Sequence, residues 1–302
     1  MNQNKGLHLL YKNLGETPNE RILRFKKDNP EYAEVSMTYA GRLDPMAEGL
    51  LLVVSGDEIK EKQKYQNLNK AYEVQVLWGF ETDTLDVLGV VSENSFSAQF
   101  FWSNLSRRAR LANFSSFKKI INGVPLLFSK LLRKAPKELV ASTNFPSLKY
   151  LQMELEEVNG KFEQKYPAYS SKPVNGKPLF QWAREGRIGE VIIPSHIVEI
   201  YEMNFVARRT ISKEELLVNI KFKIESMRGD FRQKEIWEKW LNELTQLDSS
   251  KFIIDTLRMS VSSGFYVRQF VKDLAEQLGT VATTFHIVRG SVGEYRVADS
   301  IK

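Results

Sequence analysis

Asp44 lies in a segment that could hold a carboxylate rigidly beside the protein core. Residues 39–53 read YAGRLDPMAEGLLLV, in which Gly41 and Pro45 shape a loop, and the apolar stretch at 50–54 predicts a buried strand directly after it. A carboxylate held in this way can act as a nucleophile. The alternative is that Asp44-Pro45 is only a turn closed by an Asx hydrogen bond, and the segment taken alone favours that simpler interpretation.

Other kinds of chemistry find little support in the sequence. The chain contains no cysteine, which excludes disulfides and thiolate metal sites. His8, His196 and His286 are scattered and have no metal-ligand spacing with a carboxylate. Gly41 and Gly49 fit no phosphate-binding glycine loop. We therefore expect a site that works without a metal ion and without a nucleotide cofactor.

Four groups of residues occur in the order found in one known enzyme family. They are GRLDP at 41–45, KAYEV at 70–74 with TDTLD at 82–86, PAYSS at 167–171 with GKPL at 176–179 and AREG at 183–186, and SSGFYVR at 262–268. Together they resemble the TruB family of tRNA pseudouridine synthases, and the resemblance is specific because the order is kept over most of the chain. It implies the pseudouridine synthase fold and isomerisation of a uridine at position 55, in the T arm of tRNA, with no cofactor.

The resemblance also assigns roles to individual residues. It implies that Asp44 is the nucleophile, that Arg268 pairs with it, and that Tyr72 stacks on the target base and can transfer a proton. Tyr266 and Ile287 match positions that line the uracil pocket. The physical chemistry agrees, because a guanidinium beside a carboxylate keeps it ionised, and a uridine must leave its stack to be isomerised.

Three positions depart from the family pattern. Tyr39 stands where the family has a histidine, and tyrosine can stack on a base but carries no positive charge, so only part of that role carries over. Arg42 replaces a small residue and makes its motif more similar to the rRNA-modifying RsuA and RluA families. Residues 287–289 read Ile-Val-Arg where the family has Leu-Arg-Arg, so Val288 replaces the first arginine of that motif. The Arg42 departure, together with the missing C-terminal domain described below, keeps rRNA or another tRNA site open as the substrate.

The elements that must position these residues form an α+β pattern. The sequence predicts a mixed, mostly antiparallel sheet flanked by helices and loops in a single catalytic domain of residues 1–302. Strands are predicted at 7–11, 50–54, 71–79, 197–207, 217–224 and 253–261, and helices at 17–28, 147–160, 178–186, 231–247 and 265–279. Thr17, Pro18 and Glu20 predict a capped helix start, with a capping box.

Positive charge is concentrated in one part of the chain. The net charge is +6, yet residues 94–149 contain ten Lys or Arg and one Glu, which leaves −3 for the remainder. We expect two insertions, at about 93–148 and 226–250, and a thumb-like segment at about 166–190. The resemblance implies that the basic insertion replaces a C-terminal RNA-binding PUA domain, for which there is no room before Lys302. The candidates for RNA contact are Arg107, Arg108, Arg110, Lys172 and Lys177.

The basic insertion has a simpler interpretation, as a solvated surface with a few core aromatics. The N-terminus lacks the apolar stretch of a signal peptide, and the longest apolar run is too short for a membrane span. We therefore expect a cytoplasmic, monomeric protein without membrane partners. Besides the rRNA alternative, an RNA-binding or tRNA-folding protein with dispensable catalysis stays open, although intact Asp44, Tyr72 and Arg268 argue against lost activity.

Neutralising Arg107, Arg108 and Arg110 together should weaken RNA binding and flatten its salt dependence. Each lost phosphate contact should change the slope of log K against log salt by ~0.7–0.9, because fewer counterions are released. The measurement is a titration of labelled RNA at several salt concentrations. An unchanged slope would return the segment to its interpretation as an ordinary solvated surface.

Overall fold

The computed structural model describes residues 6–96 and 145–302. The strands within these ranges are β1 (Gly6–Lys12), β2 (Met37–Tyr39), β3 (Ala47–Ser55), β4 (Lys70–Trp78), β5 (Phe80–Thr82), β6 (Val91–Asn94), β7 (Gly160–Lys165), β8 (Pro173–Val174), β9 (Lys177–Pro178), β10 (Ser195–Ser212), β11 (Lys251–Val261), β12 (Ala282–Val292) and β13 (Tyr295–Arg296). Nine of them form one sheet in the order β1-β3-β12-β4-β11-β10-β7, with β2 beside β3 and β13 beside β12. The pairing of β12 with β3 is parallel and the other pairings in this sheet are antiparallel, which confirms the α+β prediction.

Helices cover the sheet and connect its strands. They are α1 (Pro18–Asp28), α2 (Lys62–Gln66), α3 (Leu148–Glu157), α4 (Leu179–Arg184), α5 (Lys213–Glu225), α6 (Gln233–Gln246) and α7 (Val267–Gln277). Short 3-10 turns occur at Pro30–Tyr32, Gly56–Glu61, Ile188–Glu190 and Val297–Asp299. Among the described residues, no helix is both long enough and apolar enough to cross a membrane.

Strand β3 is buried on both faces. Leu51 and Val53 belong to the largest core cluster, whereas Leu50, Leu52 and Val54 pack into a separate cluster on the opposite face. A strand covered on both sides reads as a continuous apolar run rather than an alternating one, which is why the sequence showed it clearly. The strand emerges directly from the loop that carries the candidate nucleophile.

Local signals define the two helices next to the site. Thr17 Oγ1 accepts from the Glu20 N–H at 3.2 Å, and Glu20 Oε2 accepts from the Thr17 N–H at 2.7 Å, so the predicted capping box forms. Helix α7 buries its predicted apolar face, made of Val267, Phe270, Val271, Leu274 and the following Leu278. That face packs into the largest core cluster and fixes the first turn of α7, where Arg268 lies.

The strand predicted at 217–224 is wrong, because these residues belong to helix α5. Val218, Ile220, Phe222 and Ile224 alternate with polar residues, which imitates a strand pattern. Ser212 nevertheless caps the helix through the Glu215 N–H at 3.1 Å, and the buried side chains include Leu216, Ile220 and Ile224, spaced by four residues. Val218 and Phe222 are 67% and 63% exposed. The alternation thus came from exposed apolar residues on the outer face of a helix.

Substitution of Gly49 by alanine should destabilise the fold strongly. Gly49 has a φ of +110° and lies opposite Arg289, where an added Cβ would come within 2.4 Å of the Arg289 carbonyl oxygen. The positive φ costs about 1–2 kcal/mol and the forced shift of backbone costs about 1–3 kcal/mol more. We expect a total loss of about 3 kcal/mol in the free energy of unfolding, measured by urea denaturation.

Gly160→Ala is the matched control. Gly160 has a similar φ of +116°, but a Cβ there would meet no atom within 4 Å. It should lose only the conformational part, about 1–2 kcal/mol. Equal losses in the two variants would show that close packing against Arg289 is not what Gly49 provides.

Candidate active site

A cleft of about 590 Å³ opens where the loop before β3 meets the start of α7. Its walls come from several separate segments of the chain. They are lined by residues at 41–47, 70–72, 84–88, 169–184, 227–231 and 262–268, and by Ile287 and Arg289 of β12. The cleft therefore lies at the convergence of all the motifs found in the sequence.

The loop that carries Asp44 is held by backbone hydrogen bonds on both sides. The Gly15 N–H donates to the Pro45 carbonyl at 2.8 Å, and the Ala47 N–H donates to the Asp44 carbonyl at 3.0 Å. Arg289 is almost fully buried and donates from Nη1 to the Arg42 carbonyl at 3.0 Å. Because the backbone is fixed in this way, the Asp44 side chain has a defined direction into the cleft.

Asp44 forms an ion pair with Arg268. Nη2 of Arg268 lies 2.7 Å from Oδ2 of Asp44, and the two side chains are 7% and 36% exposed. The carboxylate therefore faces the cleft, while its partner lies behind it. Nη1 of Arg268 donates to the Thr84 carbonyl at 2.6 Å, and Nη2 also donates to the Tyr169 carbonyl at 3.4 Å. These contacts leave the guanidinium little freedom to turn away from Asp44.

A second carboxylate shares the same guanidinium. Oδ2 of Asp86 lies 3.3 Å from Nη1 of Arg268, and Oδ1 of Asp86 accepts from the Thr84 hydroxyl and the Leu88 N–H, both at 2.9 Å. Burial raises the pKa of Asp86 to about 6, against the opposing charge of Arg268. Burial also opposes the charge on Arg268, but the two carboxylates raise the pKa of that guanidinium above its usual value. The arginine thus stays charged throughout the physiological range.

Aromatic and apolar side chains form the wall beside Asp44. Tyr72 of β4 lies between Met259 and Arg289 on the neighbouring strands and is half-buried. Ile287 of β12 is buried, with Ala47 and Val74 opposite it. A flat ring and an apolar side chain next to a carboxylate suit a planar base that must be stacked and attacked at once.

Tyr266 is held by a buried amide. Gln164 Oε1 accepts from the Tyr266 N–H at 2.8 Å, and Gln164 Nε2 donates to the Tyr266 carbonyl at 3.0 Å. The ring is further flanked by Tyr166 and His196, with centroids at 5.4 Å and 6.0 Å. Burial and the charge of Asp44 raise the pKa of Tyr266 to about 12, so its phenol remains protonated. The residue is a fixed, neutral part of the cleft wall.

A protein-family model matches the part of the chain that contains most of the segments lining the cleft. This family model, "TruB family pseudouridylate synthase (N terminal domain)", matches residues 31–137 and 133–231. The chain belongs to this family.

Similar proteins in two bacteria share about a quarter of the aligned residues with this chain. The tRNA pseudouridine synthase B of Bacillus cereus (strain ATCC 10987 / NRS 248) is 25% identical over 297 residues, which are 98% of this chain and 69% of the relative. That of Caldanaerobacter subterraneus subsp. tengcongensis is 24% identical over 269 residues, 89% of this chain and 63% of the relative. A chain in the "Crystal Structure of a Cbf5-Nop10-Gar1 Complex" has a TM-score of 0.47 at 12% identity, covering 97% of this chain and 50% of that one.

The structure of this TruB-family chain brings together five of the residues singled out in the sequence, namely Asp44, Tyr72, Tyr266, Arg268 and Ile287. Tyr39 does not line the cleft. It lies on β2 opposite Val53, with the Lys62 ammonium 5.4 Å from its ring centroid. Within the described residues, no group of three or more His, Asp or Glu side chains could hold a metal ion.

The two lysines of the thumb-like segment are engaged with aromatic rings. Lys172 places its ammonium 5.0 Å from the ring centroid of Tyr166, which stacks on His196. Lys177 lies 4.0 Å from the Trp182 centroid and forms an ion pair with Glu185. The other candidates for RNA contact, Arg107, Arg108 and Arg110, lie outside the described residues.

Sequence reasoning did not assign a role to several residues that build the site. Thr84, Asp86 and Tyr169 were recognised only as parts of motifs, yet each contacts Arg268. In the motif that contains Val288 and Arg289, the sequence drew attention to Val288 and not to Arg289. The bond from Arg289 to the loop that carries Asp44 is visible only in the structure. Each of these contacts spans more than 90 positions of the chain, so no local pattern could have indicated it. The one hint in the sequence is that the motif at 82–86 contains two acids, Asp83 and Asp86, although the motif does not identify their partners.

Stability should depend on pH through Asp86. The pKa of Asp86 is about 6 in the folded protein and 3.8 in the unfolded chain, so the folded state binds the proton more tightly. The stability gained from this protonation is fully present below about pH 4 and is lost as the pH rises through about 6. The difference in unfolding free energy between the wild type and Asp86→Asn should therefore shift by roughly 3 kcal/mol in favour of the variant from pH 4 to pH 7.

Urea denaturation at several pH values measures this difference. Asp248→Asn, at an exposed carboxylate after α6, subtracts the general effect of removing one negative charge. If the difference moved in favour of the wild type as the pH rose, attraction to Arg268 would outweigh burial at Asp86.

Proposed function

We propose that this protein is a tRNA pseudouridine synthase that converts uridine 55 in the T arm of tRNA into pseudouridine, with Asp44 as the nucleophile. Membership of the TruB family supports the reaction class. The relatives named tRNA pseudouridine synthase B support tRNA as the substrate.

The observation that supports this proposal most directly is the position of the Asp44 carboxylate, which is partly exposed in the cleft and paired with Arg268. Among the described residues that line the cleft, the acids are Asp44 and Asp86. Asp86 is buried behind Arg268, whereas Asp44 is partly exposed and aimed by the ion pair at 2.7 Å. A fixed carboxylate without a neighbouring metal-ligand set is suited to nucleophilic attack on a base or sugar carbon.

The reaction is an isomerisation, so no atom is gained or lost overall. The Asp44 carboxylate adds to a carbon of the uridine, the bond from N1 of uracil to C1′ of the ribose breaks, and the uracil turns within the cleft. A bond from C5 to C1′ then forms, the C5 proton is removed, N1 gains a proton, and Asp44 is released. Tyr72, which lines the same cleft, is our candidate for stacking on the uracil during its rotation and for transferring the C5 proton.

The surroundings of Asp44 fit a base removed from its helix. A target uridine reaches the carboxylate only when it is flipped out of the stack, which costs a few kcal/mol. Stacking on Tyr72 and contact with Tyr266 and Ile287 would offset part of that cost. The 590 Å³ cleft has room for a nucleotide and for rotation of its base.

We propose that the chain works as a single catalytic domain and as a monomer. Lys172 and Lys177 in the thumb-like segment, and the basic segment at 93–148, are our candidates for holding the tRNA backbone. Both lysines are half-buried against aromatic rings, which presents their charge at defined positions.

One observation favours a second candidate, a pseudouridine synthase acting on rRNA or another tRNA site. Arg42 is exposed at the edge of the cleft, two residues from Asp44, where it could contact RNA next to the target. A different nucleotide context could therefore be preferred at the same catalytic centre.

Asp44→Asn should abolish pseudouridine formation while leaving tRNA binding almost unchanged. The amide cannot act as the nucleophile, but the change is isosteric and alters none of the cations proposed to contact phosphate. The measurement is nucleotide-resolution pseudouridine mapping on an unmodified tRNA transcript, together with a binding titration. Asp248→Asn is the control and should keep full activity, because this carboxylate is exposed and outside the cleft.

Substantial residual turnover in Asp44→Asn would refute its assignment as the nucleophile. Signal at a site other than the T-arm uridine would favour the second candidate. Binding without any signal, in tRNA and rRNA alike, would favour an RNA-binding protein without catalysis.

A further inference from the structure

The tip of the helical hairpin α5–α6 forms one wall of the cleft. The hairpin connects two paired strands, since β10 ends at Ser212 opposite Lys251, where β11 begins. Its helices pack together in an apolar cluster that they share with residues of the strands, and the connecting loop returns to the cleft, where Met227 and Phe231 line the wall. A long excursion from the sheet thus places an aromatic side chain beside the catalytic centre.

The loop at the tip is fixed by its own hydrogen bonds. Gln233 Nε2 donates to the Gly229 carbonyl at 2.6 Å, and the Phe231 N–H donates to Gln233 Oε1 at 2.9 Å. Gly229 and Arg232 both adopt positive φ, of +84° and +62°. A left-handed conformation at a residue other than glycine persists only where its surroundings enforce it. Phe231 is therefore presented by a defined turn.

Arg232 fastens this turn to the residues around the ion pair. Nη1 of Arg232 lies 2.8 Å from Oδ2 of Asp83, and the same Asp83 oxygen accepts from the Tyr169 hydroxyl at 3.1 Å. The Tyr169 carbonyl in turn accepts from Arg268. On the other side, the preceding Ser226 packs so closely on Gly15 that an added Cβ would lie 2.1 Å from the Ser226 carbonyl oxygen. The tip is thus fixed in position relative to Asp44.

Phe231 and Arg184 together offer a binding surface. The Arg184 guanidinium carbon lies 6.0 Å from the Phe231 ring centroid and 5.8 Å from that of Phe180, and all three residues line the cleft. In contrast to Arg232, Arg184 is exposed and has no ion pair with a carboxylate among the described residues. A half-buried aromatic face beside an uncompensated guanidinium is the combination that binds an unpaired nucleotide, through base stacking and a phosphate contact.

We propose that Phe231 and Arg184 bind a nucleotide adjacent to the flipped target uridine, with its base stacked on Phe231 and its phosphate on Arg184. This inference rests on the proposed function, because it concerns the RNA that brings the uridine to Asp44. It assigns to the α5–α6 hairpin a role in choosing the nucleotide context of the target. The fixed turn matters for that role, since a stacking platform that is already ordered loses less conformational entropy when the base binds.

The test combines protein variants with RNAs that lack single bases. T-arm stem-loops are prepared with an abasic residue at each loop position next to the target uridine in turn. Binding is measured in the Asp44→Asn background, so that turnover does not alter the RNA. Phe231→Ala should weaken binding of the complete stem-loop by about tenfold, the usual effect of losing one stacked base.

The decisive result is that the losses of affinity caused by the abasic position and by Phe231→Ala are not additive. One abasic position should weaken binding about tenfold with Phe231 present and have little further effect in Phe231→Ala. Phe231→Trp should restore the dependence on that base. Phe222→Ala, which removes an exposed ring from the outer face of the same hairpin, should behave like the parent protein. Arg184→Gln should lower the salt slope by ~0.7, as expected for one contact to single-stranded phosphate.

Two failures are distinguishable. If pseudouridine forms in the stem-loop but every abasic position has the same effect with and without Phe231, this inference is wrong and the proposed function stands. A loss in Phe231→Ala that is equal for all RNAs and is not restored by tryptophan would likewise assign Phe231 a structural role only. If the protein with Asp44 intact forms no pseudouridine in any RNA offered, the proposed function fails and the inference fails with it.

Discussion

The ion pair between Asp44 and Arg268 is the interaction on which the rest of the site depends. A guanidinium removed from water is costly unless its donors are satisfied. Here they are directed at Asp44, Asp86 and the carbonyls of Thr84 and Tyr169. These partners come from separate segments of the chain, so the segments must converge before Arg268 can be buried. Satisfying this one side chain therefore assembles the cleft.

The short loop at 82–86 connects the inner and outer parts of the site. Asp86 points inward to Arg268, while Asp83 points outward to Tyr169 and Arg232. Between them, Leu85 has a φ of +65°, a conformation that a branched apolar residue rarely adopts. Such backbone strain is retained where surrounding contacts enforce it, often at functional sites. The loop thus connects the hairpin tip to the ion pair between Asp44 and Arg268.

The sequence predicted those parts of the fold whose signals are local. The capping box at Thr17 and the apolar face of α7 were both readable because each lies within a few turns of one element. The prediction for 217–224 was wrong because solvent-exposed Val218 and Phe222 produced a strand-like alternation. The cap at Ser212 is local, but the packing of Leu216 and Ile220 into one apolar cluster with α6 is a tertiary feature that the alternation concealed.

The site shows the same division. Motifs indicated the residues that face the cleft, because a family resemblance preserves residue types at fixed positions. The contacts that hold these residues were not accessible from the sequence. Gln164 holds Tyr266 from 102 positions away, and Arg289 holds the Asp44 loop across almost the whole chain. Tyr39 illustrates the converse, since a residue adjacent to a motif can belong to the neighbouring strand instead of the cleft.

Net charge is also a poor guide to where RNA would bind, because several cations of this chain support the backbone from inside. Lys12, Arg21, Lys70 and Arg289 are buried and donate to main-chain carbonyls. Burial lowers the pKa of both Lys12 and Lys70 to about 8. Charges used in this way cannot release counterions from phosphates. An exposed cation without an acidic partner, such as Arg184 at the cleft, is free to do so.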